Sequence, residues 1–167
     1  LDEQQRKWIF QPSDRTWWGG LAAAEGMDDA WIDFHSRATG EKVRLHGLWL
    51  AQARADAPVL LYLHGARYDV RGSAHRMRRM HELGYAVLGI DYRGFGQSSK
   101  TLPSESFAHE DALAAWQWLE IAAGQPRVVA ATQEAFVPQM LNMELPAVAG
   151  VSFSKGCYPG QEIVART

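Results

Sequence analysis

The chain carries a single cysteine, Cys157, in 167 residues. One thiol excludes an internal disulfide and fits a reducing compartment, so a cytoplasmic location is expected. No run approaches the ~18 uninterrupted apolar residues of a membrane span, and no membrane partner is expected. Excess charge of one sign is also missing. The chain has 17 Lys and Arg against 19 Asp and Glu, a formal net charge of −2. Bulk charge therefore gives no reason to expect nucleic-acid binding. The opening LDEQQRKWIF is polar, has no leader pattern and lacks an initiator Met, which suggests a trimmed or partial chain. No histidine follows His109, and no metal-binding residue is assigned.

What is present is enough for a core. Apolar residues make up 47% of the chain, an ordinary globular fraction. Seven Trp are expected to serve mostly in core or interface packing, because each brings a large apolar area and one donor. The basic cluster Arg71, Arg76, Arg78 and Arg79 reads as a solvated helix face.

Residues 1–28 read as irregular or short-helical, with FQPSDRTWWGG as a loop of turn formers. WIDFHSRATGEKVRLHGLWLAQ reads as a β-hairpin. Trp31, Ile32 and Phe34 lie on one arm, and Val43, Leu45, Leu48 and Leu50 on the other. Gly40 is able to take positive φ in the turn. VLLYLHG (59–65) is a short apolar run, as expected of a strand buried on both faces. Gly72 to Leu83 is predicted helical with Met77, Met80 and Leu83 as its buried stripe, and Gly84 closes it. YAVLGIDYRG (85–94) is a second buried strand. Strand, helix and strand in this order predict a βαβ unit and a parallel sheet. A further helix is predicted from Glu105 to Leu119. Ser104 or Ser106 is its N-cap, and Ala112, Ala115, Trp116 and Leu119 form its packing face. The expected fold is α/β: a doubly wound sheet with antiparallel strands at one edge.

After AAGQP (122–126) the texture changes. RVVAAT reads as one strand. Pro138 and Pro146 exclude a long helix in the next stretch. VSFSKGCYPGQEIVA reads as strand, glycine-rich turn, then strand or short helix.

Two resemblances divide the chain. VLLYLHGARYDVRGSAHRMRRMHELGYAVLGIDYRGFGQSS, with LPSE and EDALAAWQWL after it, resembles the α/β-hydrolase family. It is similar in pattern to bacterial serine hydrolases with a preceding hairpin. His64-Gly65 and Asp91-Tyr92-Arg93-Gly94-Phe95-Gly96-x-Ser98 at successive strand ends carry the match. The resemblance implies ester or peptide hydrolysis of a small molecule, with an oxyanion loop at Gly65, Ala66 and Arg67. Ala66 or Arg67 would lend the backbone N–H. His64 reads as a structural residue under the loop, and Asp91 and Arg93 as braces of it. The nucleophile elbow is expected after RVVA (127–130), but Gln133 stands where a Ser is required, and an amide is no nucleophile. The triad acid and base belong later still, and the chain ends first. The hydrolase part is therefore expected to be a truncated sheet that is inactive by the family mechanism. Alternatively Ser154, in Ser-Phe-Ser-Lys-Gly, or Cys157 acts as nucleophile in a minimal hydrolase.

The second resemblance begins near residue 124. FVPQMLN (136–142) and GVSFSKGCYPGQEIVAR (150–166) are similar to the folate-binding YgfZ family, relatives of the glycine-cleavage aminomethyltransferase. The signature residues are Lys155, Gly156, Cys157, Tyr158, Gly160, Gln161, Glu162 and Arg166. This resemblance implies iron–sulfur protein maintenance or tRNA modification, with tetrahydrofolate as cofactor and Cys157 as the functional residue. Lys155 is a nearby cation and favours a thiolate. The chain is thus read as a composite: a partial hydrolase-like domain over 1–122 and a short YgfZ-like β segment over 123–167. The sequence leaves open whether the join is natural, engineered or artefactual. A second reading is one small α/β domain with a binding or redox role. An unpaired sheet edge also raises self-association as an expectation.

Overall fold

The structure is a computed structural model, and it describes residues 2–122. The readings for residues 127–167, including Gln133, Ser154, Lys155, Gly156, Cys157, Tyr158, Gly160, Gln161, Glu162 and Arg166, lie outside the described residues. Packing divides the chain between Trp118 and Leu119.

The chain opens with α1 (Glu3–Phe10) and a one-turn helix α2 (Gly20–Ala24). A capping box starts α1. The Asp2 carboxylate accepts from the Gln5 N–H at 2.8 Å, and Gln5 Oε1 accepts from the Asp2 N–H at 3.2 Å. The hairpin follows as β1 (Asp28–His35) and β2 (Lys42–Leu50), antiparallel, with Ile32 opposite Leu45. Gly40 sits in the turn at φ +74, the left-handed region that glycine enters without penalty.

Next come β3 (Val59–Leu63), a 3-10 turn (Val70–Ser73) that leads into α3 (Ala74–Glu82), β4 (Ala86–Ile90) and α4 (Glu105–Ala122). The sheet order is β1-β2-β4-β3. β2 and β4 are antiparallel, whereas β3 and β4 are parallel, as the strand–helix–strand order requires. The fold is α/β, an open mixed sheet with an antiparallel hairpin at one side. Every residue of β4 is buried, which matches its central place. The core beside α3 is built from Leu48, Leu50, Val70, Met77 and Val87.

Several expectations are corrected. β3 is less buried than its apolar run implies. It is the sheet edge among the described residues, and Val59 and Leu63 are about 41–42% exposed. Leu83 is exposed rather than part of the α3 stripe. It is the C-cap residue, and six residues along a helix turn it about 120° away from Met77. None of the seven Trp is fully buried. Trp8, Trp17, Trp18, Trp31 and Trp116 are exposed, and Trp49 and Trp118 are half-buried. The basic cluster is only partly a solvated face. Arg78 Nε donates to the Ala23 carbonyl at 2.6 Å, and Arg71 pairs with buried Asp69.

Candidate functional site

The loops that leave the ends of β3 and β4 lie side by side, because the two strands are parallel neighbours. They carry His64 to Asp69 and Asp91 to Ser99. Asp91 is the knot between them. It is 1% exposed, and its Oδ1 accepts from the Val70 N–H at 2.7 Å. His46 Nδ1 stands 3.2 Å from Asp91 Oδ2, and His46 Nε2 stands 2.7 Å from Asp29 Oδ1. Carboxylates at both nitrogens favour the doubly protonated form of an imidazole, because each then receives an N–H. Burial opposes that charge, but the bonds to Asp91 and Asp29 outweigh it and raise the His46 pKa above its ordinary value. Burial likewise opposes charge on Asp91, yet His46, His64 and the Val70 N–H hold its pKa below the usual carboxylate range.

His64 points its Nδ1 at the Gly65 carbonyl, 2.6 Å away. Its Nε2 lies 3.5 Å from Asp91 Oδ1 and has no hydrogen-bond partner among the described residues. The ring packs edge-on against Tyr92 and Phe95. It is wedged under the loop by aromatic contact. Ser98 closes the second loop: its hydroxyl donates to the Asp91 carbonyl at 2.6 Å and accepts from the His46 N–H at 2.9 Å.

Arg93 anchors the far side of the same loop. It is 1% exposed and pairs with Asp111 through Nε at 2.7 Å and with Glu110 through Nη2 at 2.6 Å. Its guanidinium also lies 4.4 Å from the centre of the Phe107 ring. Asp111 accepts from the Arg93 backbone N–H as well, at 2.8 Å. Burial is the larger influence on Asp111 and pushes its pKa up from 3.8 to about 6 despite the nearby cation. Glu110 is less buried. Bonds from Ser36, Arg93 and the Arg37 N–H overcome desolvation there and lower its pKa.

Gly65, Ala66 and His64 border a cavity of about 260 Å³ whose walls include Phe10, Tyr92, Phe95 and Phe107. No Ser, Thr or Cys lines it among the described residues. Of the two backbone donors that the resemblance singles out, Ala66 and Arg67, the Arg67 N–H is engaged: it donates to the Phe10 carbonyl at 3.0 Å. Ala66 makes no such bond among the described residues. A Cβ on Gly65 would meet nothing within 4 Å, so no contact in the described residues demands a glycine there. The sequence reading placed Asp91 and Arg93 as braces but missed His46, Asp29 and Asp111. A histidine inside the apolar arm VRLHGLWL was the one visible signal.

These charge states set a pH dependence. His46 has a raised pKa in the folded state, so its contribution is full below its unfolded value of about 6.5 and fades as pH rises through the folded value. Asp111 is also raised, so native protein holds its proton longer than unfolded chain does. Stability is therefore lost as pH climbs from about 4 to about 6, on the order of 2–3 kcal/mol for that one group. Asp91 acts in the opposite sense, losing its contribution only as pH falls below about 4. Urea midpoints should decline from about pH 4.5 to 8. Asp111→Asn should flatten the acidic half of that decline and His46→Gln the alkaline half.

Among the described residues no group of three or more His, Cys, Asp or Glu is arranged to hold a metal ion, and no helix is long and apolar enough to cross a membrane. No family model matches the chain. The described domain is similar to a putative hydrolase from Agrobacterium vitis, with TM-score 0.49 and 24% identity, over 57% of this chain and 38% of that one. It is similar also to an esterase of Pyrococcus furiosus, with TM-score 0.48 and 23% identity, over 68% of this chain and 42% of that one. Relatives by sequence match a different part, about residues 100–167. The tRNA-modifying protein YgfZ of Vibrio atlanticus is 46% identical over 70 residues, which is 42% of this chain and 21% of that protein. Its counterpart in Colwellia psychrerythraea is 55% identical over 51 residues, 30% of this chain and 15% of that protein. The chain joins an α/β domain to a stretch similar to YgfZ proteins, and it spans about a fifth or less of the length of those two relatives.

Proposed function

We propose that the α/β domain is a hydrolase-like scaffold that binds a small apolar molecule without hydrolysing it. The observation that carries this reading is the cavity at Gly65 and Ala66. It has the place and size of a small acyl pocket, yet no Ser, Thr or Cys lines it among the described residues, and one candidate oxyanion donor is already bonded to Phe10. Covalent catalysis needs a nucleophile within hydrogen-bond reach of a base, and an oxyanion site needs free donors. The sequence adds Gln133 at the expected elbow position. A p-nitrophenyl butyrate assay tests this. The expected result is no turnover above buffer. Turnover that is abolished in Ser154→Ala or Cys157→Ala overturns it.

A second reading is favoured by the 46% identity over 70 residues to a tRNA-modifying protein. On this reading Lys155 to Arg166 carries a YgfZ-type role, with Cys157 as its functional thiol and tetrahydrofolate as its ligand. Saturable quenching of tryptophan fluorescence by tetrahydrofolate, weakened in Cys157→Ala, would support that reading over the first.

A further inference from the structure

A second cleft, of about 640 Å³, opens on the side of the oxyanion loop where α1 ends. Lys7, Arg15 and Arg67 line it together with Gln11, Ser13 and Tyr68, and among the described residues no acidic side chain does. Its cations come from three separate segments, and backbone bonds tie those segments to one another. The Gln11 N–H donates to the Lys7 carbonyl, the Arg67 N–H to the Phe10 carbonyl and the Asp69 N–H to the Arg15 carbonyl, all within 3.0 Å. Arg67 is further held by its Nε, which donates to Gln11 Oε1 at 2.9 Å. That bond leaves the two terminal nitrogens of the guanidinium without a protein acceptor among the described residues. Arg15 likewise has no carboxylate partner among them. Among the described residues Lys7 pairs only with Glu3, an exposed i,i+4 contact of the kind worth a few tenths of a kcal/mol and readily exchanged. Arg6 adds a further charge beside the cleft, because its guanidinium is bonded to the Leu102 and Pro103 carbonyls and, among the described residues, to no acid.

An independent feature marks the same place. Among the described residues three that are not glycine have positive φ: Gln11 at 48°, Arg67 at 68° and Tyr68 at 39°. All three line this cleft. Such conformations cost on the order of 1–3 kcal/mol each in side-chain-bearing residues, and they gather where a structure holds groups for a ligand. Here the strained residues are the ones that aim Arg67 and set its support.

We propose that this cleft is a binding site for a small phosphate-bearing molecule. Three cations with no lining carboxylate match a multiply charged anion better than a single carboxylate does. Guanidinium forks and a hydroxyl on Ser13 suit phosphate oxygens. The site is separate from the apolar cavity and does not depend on how that cavity functions.

Calorimetric titration of the full chain with inorganic pyrophosphate at low ionic strength tests the proposal. Saturable binding with a Kd below about 1 mM is expected, and raising salt should weaken it. Arg67→Gln and Arg15→Gln should each weaken it about tenfold or more, as the loss of a charge-assisted bond implies. Arg76→Gln, which removes an exposed cation on α3 outside the cleft, should leave it unchanged, and circular dichroism of the variants should match the parent. Four outcomes overturn the proposal. These are no saturation, equal loss in Arg76→Gln, citrate binding as tightly as pyrophosphate, or a single-stranded oligonucleotide binding where pyrophosphate does not.

Discussion

Replacing Arg93 by leucine should lower the stability of the domain by about 3–5 kcal/mol, enough to unfold a marginal protein at 37 °C. The size of the effect follows from what is left behind. Arg93 and Asp111 are both essentially unexposed, and their Nε–Oδ1 separation is 2.7 Å. Without the guanidinium, Asp111 keeps only the Arg93-position backbone N–H among the described residues, and Glu110 loses its one cationic donor among them. The Asp111 carboxyl already sits near pKa 6 with the cation present, so removing the cation drives it further toward the protonated form. The control is the double variant Arg93→Leu/Asp111→Asn. It removes both buried charges and retains one oxygen to accept the backbone N–H. Most of the lost stability should return, because replacing a whole buried pair is far less costly than orphaning one member. Urea unfolding of the two variants at pH 7 gives the comparison. A double variant no more stable than the single one would show that the cation–π contact with Phe107 and the bond to Ser36, rather than the charge pair, hold the loop.

How much of this was legible in the sequence depended on range. Local patterns were read well. The hairpin arms, the turn glycine Gly40, the parallel pair around α3 and the long helix at 105–122 all follow from periodicities and turn residues within a dozen positions. The capping box of α1 was equally local but was not read, although Asp2 and Gln5 have the right spacing. Burial of single side chains was read poorly. Trp8 and Trp18 are about 82% and 91% exposed, because a large apolar residue says nothing about whether a partner face exists.

The candidate site shows the same division. Asp91 and Arg93 were recognisable as loop braces from the motif at the end of β4. Their partners were not, because they come from elsewhere in the chain. His46 is 45 residues from Asp91, and Ser36 is 57 residues from Arg93. Sequence spacing carries no information about such pairs until the strand order sets β2 beside β4, with β1 on the far side of β2. The loop at Gly65 and Ala66, expected from the resemblance to lend an oxyanion donor, borders a cavity. That one of its N–H groups is spent on Phe10 could not be read, since it depends on how α1 docks. The cation cleft was invisible for the same reason: Lys7, Arg15 and Arg67 lie in three segments that no motif connects.

The glycine at position 96 should not tolerate even a methyl side chain. A Cβ built there would stand 2.0 Å from Asp91 Oδ2 and 2.6 Å from Asp91 Cγ. Asp91 cannot give way cheaply. Its other oxygen is held by the Val70 N–H, and Oδ2 itself faces His46, so moving the carboxylate breaks both contacts and strands a buried charge. Gly96 also has φ +46, so a side chain pays the left-handed strain in addition. Gly96→Ala should therefore cost about 4 kcal/mol or more, the range in which a single substitution reports a specific steric conflict. Gly40→Ala separates the two contributions. Gly40 has φ +74 with nothing within 4 Å of the added Cβ, so it carries the backbone strain alone and should cost about 1–2 kcal/mol. The difference between the two urea midpoints isolates the clash with Asp91. Equal losses would mean that the Asp91 carboxylate is free to swing aside, and the His46–Asp91–Val70 knot would then not be the rigid brace between the two loops.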